Sequence, residues 1–358
     1  MAGISTYAQT LRQIDQLGSM QINLADLQRQ LATGKKAAFF NGLDRGVLTS
    51  QRARADTSKI DTFINNIDVA KHRMNVMTNS IEEIKTQTEF VQNALANQTQ
   101  EGDTELGQIA PLANNVRNFV EDLLNTQDGD RYLFAGSDVE NPPVNLSGSL
   151  DSYVQSQIDD WINGNIDTDT LISNYKDPEI LTDATIGYSN ALSNDITRDV
   201  SVRVDDSAEI DYTVRANSSG FRDVLVITSM ILSLEATIDK ASLDEGDLAG
   251  DFVTAPGGSQ QEQNDNFYGL FSDLTAQLNT AIGNMSNDGF KIAQSQRQIN
   301  VIRNTLSQEQ NMMKAQIASV EDSNINEIAV SLSALQTQLE ASYSVTATVA
   351  RLSLVNFL

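Results

Sequence analysis

The feature that most constrains this chain is an apolar side chain that recurs at alternating steps of three and four residues from Ile60 to Leu95. No proline interrupts this stretch. The spacing keeps the apolar side chains on one narrow side of a helix, which is typical of a coiled-coil seam. The predicted helix spans residues 48 to 98, far longer than the roughly 11 to 12 residues of an average globular helix. The seam comprises Ile60, Phe63, Ile67, Ala70, Met74, Met77, Ile81, Ile84, Thr88, Val91 and Leu95.

A second stripe lies near the other end of the chain, where apolar side chains recur at seven-residue steps. Neither helix can bury its own stripe, so the stripes must pack against each other or against another copy of the chain. We therefore expect a mainly α fold in which the N- and C-terminal arms form a long antiparallel helical coiled-coil rod. We call the C-terminal arm the return arm. Residues 287–289 are expected to loosen its helix locally. The repeat comprises Ile292, Ile299, Leu306, Met313 and Val320.

The middle of the chain differs from both arms in charge and in backbone chemistry. Residues 136–262 hold 24 acidic and 6 basic side chains, which is −18 of the net charge of −24. Four of the five prolines also lie between Pro142 and Pro256, and proline interrupts helices. We expect an inserted α+β outer domain that is solvated and self-repelling.

Within the insert, alternating residues on either side of a polar turn at 205–207 predict a β-hairpin. We also expect a strand at 131–136, a helix at 220–241, a flexible linker at 243–263 and a core around Trp161. The hairpin residues are Val200, Val202, Val204, Ile210, Tyr212 and Val214.

Composition argues against several classes of function. The chain has no cysteine, which excludes disulfides, thiolate metal sites and cysteine nucleophiles. Its only histidine, His72, has no expected nucleophile partner, and no phosphate-binding glycine loop occurs. We predict no enzyme activity, no metal site and no cofactor, and leave open loose calcium binding by the acidic insert.

The sequence also bears on nucleic acids and membranes. A chain this acidic lacks the basic face that nucleic-acid binding requires. No segment approaches the roughly 18 apolar residues of a membrane span, and residues 1–7 do not resemble a secretory signal. We expect no nucleic acid, no membrane insertion and no cleaved signal peptide.

Both ends of the chain are apolar enough to need a partner. Residues 352–358 would expose apolar surface on an isolated helix, and such a helix is marginal in water. Burying this surface is favourable by about 25 cal/mol per Å2. We expect both ends to be poorly ordered in the monomer and to fold on association. The alternative is an antiparallel helix pair closed within one chain.

Motifs in both arms resemble the bacterial flagellin superfamily. Residues 28–35, Gln-Arg-Gln-Leu-Ala-Thr-Gly-Lys, are similar to the Q-x-x-[LI]-[AS]-[TS]-G-[KL] end of that superfamily's first helix. Residues 335–343 and 352–358 resemble its closing helix. Residues 129–137, 141–144 and 212–217 are similar to the hook-filament junction family, hook-associated protein 3, and the alternative is a filament-forming flagellin.

This resemblance implies a division into three parts. Residues 1–45 with 321–358 would form the terminal helices of an inner tube, residues 46–135 with 264–320 a helical rod, and residues 136–263 the acidic outer domain. Identical subunits would add through heterologous contacts and build a helical tube. The predicted assembly interface comprises Ile4, Tyr7, Leu11, Ile14, Leu24, Leu31, Ile328, Leu332, Leu335, Leu339, Val349, Leu352, Val355 and Leu358.

The resemblance also implies a location and partners. The chain would be a structural subunit of the bacterial flagellum that joins hook to filament, outside the cell, after type III export without a cleaved signal peptide. Its partners would be other copies of itself, an adjacent hook-associated protein, filament flagellin and a flagellar export chaperone.

Overall fold

The computed structural model describes residues 2–43, 45–97, 106–237 and 255–355. It confirms the mainly α fold, and its long helices lie in the two arms. The arm elements are α1 (Ala2–Thr33), a short 3-10 helix (Phe40–Leu43), α2 (Gly46–Ala96), α3 (Leu106–Leu124), α9 (Gln260–Glu321) and α10 (Ile325–Val355). Between them lie β1 (Gln127–Asp128), β2 (Arg131–Tyr132), α4 (Ser149–Ile162), α5 (Thr168–Lys176), α6 (Asp183–Ile186), α7 (Asn190–Ser193), β3 (Ser201–Arg203), β4 (Glu209–Asp211) and α8 (Ser219–Thr237).

The chain divides into two compact units. Residues 1–62 with 305–358 form the first unit, and residues 63–304 form the second. The predicted outer domain falls wholly within the second unit, and the three-part division stays a prediction. The first unit holds ten acidic and ten basic side chains, so the net charge of −24 resides in the second unit.

The predicted seam of the long helix is buried along its whole length. Every one of its eleven side chains is at most 8% exposed. In the second unit α2 runs antiparallel to α9, because three polar pairs advance by equal and opposite steps on the two helices. These pairs are Asp68–Arg303 at 2.6 Å, Lys71–Asn300 at 2.8 Å and Asn75–Gln296 at 3.0 Å.

The first helix of the return arm, α9, is unbroken, which corrects two expectations. Residues 287–289 do not relax the helix, because Met285 and Ile292 on either side are fully buried and hold it in register. The helix also begins at Gln260, inside the predicted linker at 243–263. The Ser259 hydroxyl accepts a hydrogen bond from the Glu262 amide, and the Glu262 carboxylate accepts one from the Gly258 amide. Such caps satisfy the free amides of a helix start.

The predicted hairpin of the insert is confirmed as the antiparallel pair β3 and β4, in which Val202 faces Ile210. The hairpin is fixed to α9 by two hydrogen bonds. The Ser295 hydroxyl donates to the Asp211 carbonyl at 2.6 Å, and the Lys291 ammonium donates to the Thr213 carbonyl at 2.8 Å. The predicted core residue Trp161 is fully buried.

The strand predicted at 131–136 is wrong beyond its first two residues. Only Arg131 and Tyr132 form a strand, paired with β1. The chain then turns inward: the Phe134 side chain is fully buried, its carbonyl accepts from the Ala216 amide, and Gly136 has a left-handed φ of 66°. Burial of an aromatic ring therefore outweighs extension of the two-stranded ladder.

Other boundaries shift slightly. The helix predicted at 220–241 begins at Ser219 and is described to Thr237. Its start packs closely on α9, since a Cβ on Gly220 would lie 2.8 Å from the Ala281 carbonyl oxygen. Residues 238–241 of the predicted helix and most of the predicted linker lie outside the described residues.

Candidate assembly interface

The two terminal helices of the first unit pack side by side within one chain. The Gly34 carbonyl, just past the end of α1, accepts a 2.8 Å hydrogen bond from the Ser323 amide, just before α10 begins. Further along, the Gln21 side chain donates to the Tyr343 hydroxyl at 2.7 Å. The helices are therefore antiparallel. Of the two arrangements that the sequence leaves open, the single chain shows the internal helix pair, and ordering of the ends on association stays a prediction.

The predicted interface residues on these helices fall into three groups by exposure. Ile328 and Leu339 are buried, with 5% and 4% of their surface exposed. Leu24, Leu332 and Leu335 are half-buried. The third group is exposed and comprises Leu11, Ile14 and Leu31.

The remaining predicted interface residues lie at the extremes of the helices. The backbone of Ile4, Tyr7, Val349, Leu352 and Val355 is helical, but their side chains lie outside the described residues. Leu358 lies outside them altogether.

The structure adds exposed apolar residues that the stripe analysis missed. Ile22 and Val330 are each 72% exposed, and each lies two positions from a buried stripe residue, Met20 and Ile328 respectively. A shift of two residues turns a helix position by about 200°, so these side chains point away from the internal pair. Apolar residues lying off the stripe were the signal that could have identified them.

The terminal helices thus have apolar side chains on more than one side. One set is used within the chain, and another, which includes Ile22 and Val330, faces outward. A helix that is apolar on opposite sides is stable only when both sides are covered. Exposed apolar patches of this kind mark contacts with other proteins.

A buried carboxylate fixes the end of α9 to the start of α2. The Arg54 guanidinium donates two hydrogen bonds to Glu321, at 2.8 and 2.6 Å, and the Ser50 hydroxyl donates a third. Lys35 pairs with the neighbouring Asp322. The hydrogen bonds from Arg54 are the main cause that lowers the pKa of Glu321 to about 2, helped by Ser50 and by the charges of Arg54 and Lys35 and opposed by burial.

An apolar cleft of about 310 Å3 adjoins this carboxylate. Its lining includes Phe39 and Phe40, of which Phe39 is 78% exposed. The Arg54 guanidinium lies 5.7 Å from the centroid of the Phe40 ring, a distance that suits a cation–π contact. The linker between α1 and α2 thus presents aromatic surface beside fixed charges.

Three further features bear on catalysis, metal binding and membrane insertion. His72 is exposed, with its Nε2 3.8 Å from an Asp128 carboxylate oxygen. Within the described ranges, no group of three or more histidine and acidic side chains is arranged to hold a metal ion. No helix in the same ranges combines the length and apolar character needed to cross a membrane.

Comparison with known proteins agrees with the sequence motifs of the return arm. Residues 275–358 match the family described as the bacterial flagellin C-terminal helical region. This match covers α9 from residue 275 onward and all of α10, and so includes one helix of the internal pair and Glu321. Residues 275–358 therefore resemble the C-terminal helical region of bacterial flagellins. The match confirms the predicted resemblance of the C-terminal arm to the flagellin superfamily.

A solved structure is also similar to this chain. A putative flagellar hook-associated protein from Vibrio parahaemolyticus is similar over 77% of this chain and 97% of its own, with 11% identity and a TM-score of 0.48. No curated protein sequence matches the chain.

Proposed function

We propose that this protein joins the flagellar hook to the filament, as hook-associated protein 3 does. The observation that carries the proposal is a pair of terminal helices with uncovered apolar side chains, in a chain whose residues 275–358 match flagellins. A subunit of this kind binds copies of itself through surfaces that are not symmetric, which builds a helical tube.

The segments between the arms favour the junction role over a filament flagellin. Residues 129–137, 141–144 and 212–217 are similar to the hook-filament junction family. Two of them meet in the second unit, where the Phe134 carbonyl accepts a hydrogen bond from the Ala216 amide at 2.9 Å. The segment 141–144 is held by Asn125, whose side chain donates to the Val144 carbonyl at 2.8 Å. The hydrogen bond between residues 134 and 216 gives a physical reason for those two segments to keep their pattern together.

The mechanism uses the two apolar sides of the terminal helices at different stages. During export the chain passes unfolded through the type III apparatus, and a cytosolic chaperone holds the apolar C-terminal helix. At the growing end, α1 and α10 pair and their outward apolar residues bind the hook-associated protein below and filament flagellin above. Each contact removes apolar surface from water, at about 25 cal/mol per Å2.

Deletion and localisation test this proposal together. Without the protein, cells should keep complete hooks, lack filaments and release flagellin monomer into the medium. Immunogold labelling of complemented cells should lie at the distal end of the hook. A filament-forming flagellin would instead be labelled along the whole filament, and the purified protein would polymerise into long fibres without a partner.

A further inference from the structure

A buried arginine, Arg222, lies where three elements of the second unit meet. It belongs to the first turn of α8, and only 7% of its surface is exposed. Its guanidinium donates to the Tyr175 carbonyl near the end of α5, at 3.0 Å, and to the Leu181 carbonyl before α6, at 2.6 Å. Its Nε atom is buried and donates no hydrogen bond to any residue that the structure describes.

A carboxylate lies near this Nε atom, but too far away for a direct hydrogen bond. The distance from Nε to an oxygen of Asp183, the first residue of α6, is 3.8 Å. Direct N–H···O hydrogen bonds span about 2.7 to 3.2 Å, and a polar contact at a longer distance suits a link through a water molecule. Asp183 is held independently, since its other oxygen accepts from the Asn217 side chain at 2.7 Å.

Three tyrosine hydroxyls near Arg222 are also buried without a partner. Tyr175 and Tyr188 are buried, and Tyr153 on α4 is half-buried. None of the three hydroxyls forms a hydrogen bond with a residue in the described ranges. Burial raises the pKa of all three hydroxyls, and the charge of Arg222 opposes this effect at each of them. The hydroxyls therefore lie close enough to Arg222 to experience its charge.

Such a group of unpaired atoms is unusual in a protein interior. The large majority of buried polar atoms in native proteins have a partner, which is either a protein atom or an ordered water. A buried water typically makes about three hydrogen bonds to groups that lack a protein partner. The guanidinium nitrogen and the three hydroxyls are groups of this kind.

The charges around these atoms favour a neutral ligand. Arg222 would repel a metal ion. Asp183 and Asp223 would repel an anion, and the charge of Asp223 also acts on the hydroxyls of Tyr175 and Tyr188. Hydroxyls both donate and accept hydrogen bonds, whereas the Nε atom of arginine only donates. Water is neutral and can satisfy both kinds of group.

We propose that buried water molecules occupy the interior of the second unit at Arg222. One of them bridges the Nε atom to the Asp183 carboxylate, and others bind the hydroxyls of Tyr175 and Tyr188. These waters link α5, α6 and α8 through hydrogen bonds that the protein atoms do not make directly. The inference goes beyond the junction role and does not depend on it.

Oxygen-17 magnetic relaxation dispersion tests the proposal, because it detects water that stays in a protein for longer than the protein takes to rotate. The natural chain is compared with the double variant Tyr175→Phe with Tyr188→Phe, which keeps both rings and removes both hydroxyls. The dispersion amplitude should fall in the double variant. Tyr212→Phe is the matched control, since Tyr212 is equally buried in the same unit and its hydroxyl interacts with Arg73. This control should leave the amplitude unchanged.

The sign of a stability change gives a second readout. If water binds the Tyr188 hydroxyl, Tyr188→Phe removes a hydrogen bond and should lower the melting temperature by about 2 to 4 °C. If the hydroxyl has no partner, the same substitution removes a buried unsatisfied group and should raise the melting temperature. Differential scanning calorimetry at neutral pH measures the shift.

The outcomes decide the proposal in either direction. A lower dispersion amplitude in the double variant, together with a lower melting temperature in Tyr188→Phe, supports buried water at Arg222. An amplitude equal to that of the natural chain, or a melting temperature that stays the same or rises in Tyr188→Phe, overturns it. Either result leaves the junction role intact.

Discussion

At the scale of single residues, the carboxylates of buried Glu321 and half-buried Asp223 have opposite effects on stability. Glu321 is held by hydrogen bonds from Arg54 and Ser50, which favour its charged form. Asp223 lies at the start of α8, and its neutral form is favoured. Burial raises its pKa to about 6, against the opposing charges of Arg222 and Lys176. The two carboxylates differ in their hydrogen-bond partners. A buried charge is favourable only when hydrogen-bond donors replace the lost water.

Replacing Glu321 by glutamine should destabilise the first unit by about 1 to 3 kcal/mol at neutral pH, because hydrogen bonds to a charged group are lost. The folded-state pKa of about 2 lies below the ordinary 4.5. The carboxylate's stabilisation is therefore complete above about pH 4.5 and is lost as the pH falls toward 2. Urea unfolding at a series of pH values measures this. Asp322→Asn, which alters a more exposed pair, is the control, and an equal loss in both variants would contradict the prediction.

Replacing Asp223 by asparagine should stabilise the second unit by about 1 to 2 kcal/mol at pH 7, since one unit of pKa corresponds to about 1.4 kcal/mol. The folded-state pKa of about 6 lies above the ordinary 3.8, so the natural chain loses stability as the pH rises from about 4 through 6. Thermal unfolding at pH 4 and pH 7 checks this, with exposed Asp159→Asn as the control. An equal gain in stability at both pH values would show that the substitution does not act by removing the ionisable carboxyl group.

At the scale of elements, the sequence predicted the long helices well and the short ones poorly. The seam from Ile60 to Leu95 is buried as its spacing requires, because a helix face has a fixed period. The helices α5 to α7 have four to nine residues each and show no such period. Local caps define them instead, as where the Asp167 carboxylate accepts from the Thr170 amide at 2.7 Å.

Two substitutions on α10 should separate folding from assembly. Leu339→Ala removes a side chain that is 4% exposed and should lower the free energy of unfolding by about 2 to 4 kcal/mol. Val330→Asp changes a side chain that is 72% exposed and should leave unfolding within about 0.5 kcal/mol, yet prevent growth of filaments on the hook. Chemical denaturation and electron microscopy of complemented cells measure the two effects. Normal filaments with Val330→Asp would show that this side of α10 is not used.

At the scale of the whole molecule, the two compact units differ sharply in charge. The first is neutral and the second carries all of the net charge of −24. A neutral unit can approach its copies closely, whereas the second unit repels them unless salt screens the repulsion. Charge thus favours contacts between copies through the first unit.

Salt should therefore stabilise the natural chain. Raising the ionic strength from about 0.01 M to 0.15 M shortens the screening length from about 30 Å to about 8 Å, so the melting temperature should rise as self-repulsion in the second unit weakens. Calorimetry in sodium chloride measures the shift. Asp205→Asn with Asp206→Asn, in the turn of the hairpin, should reduce it. No dependence on salt would mean that this repulsion is negligible.

The sequence by itself determined the helical arms, the acidic insert with its hairpin, and the flagellin resemblance of the return arm. These features follow from period, charge and local motifs, which act between residues close in sequence. Only the tertiary structure decided which apolar residues of the terminal helices are covered: Ile328 and Leu339 are buried in the internal pair, whereas Leu11, Ile14 and Val330 stay exposed. It also brought Lys35, Ser50 and Arg54 to the joint at Glu321 and Asp322. Those contacts join residues more than 260 positions apart, and no local pattern can specify a partner at that distance.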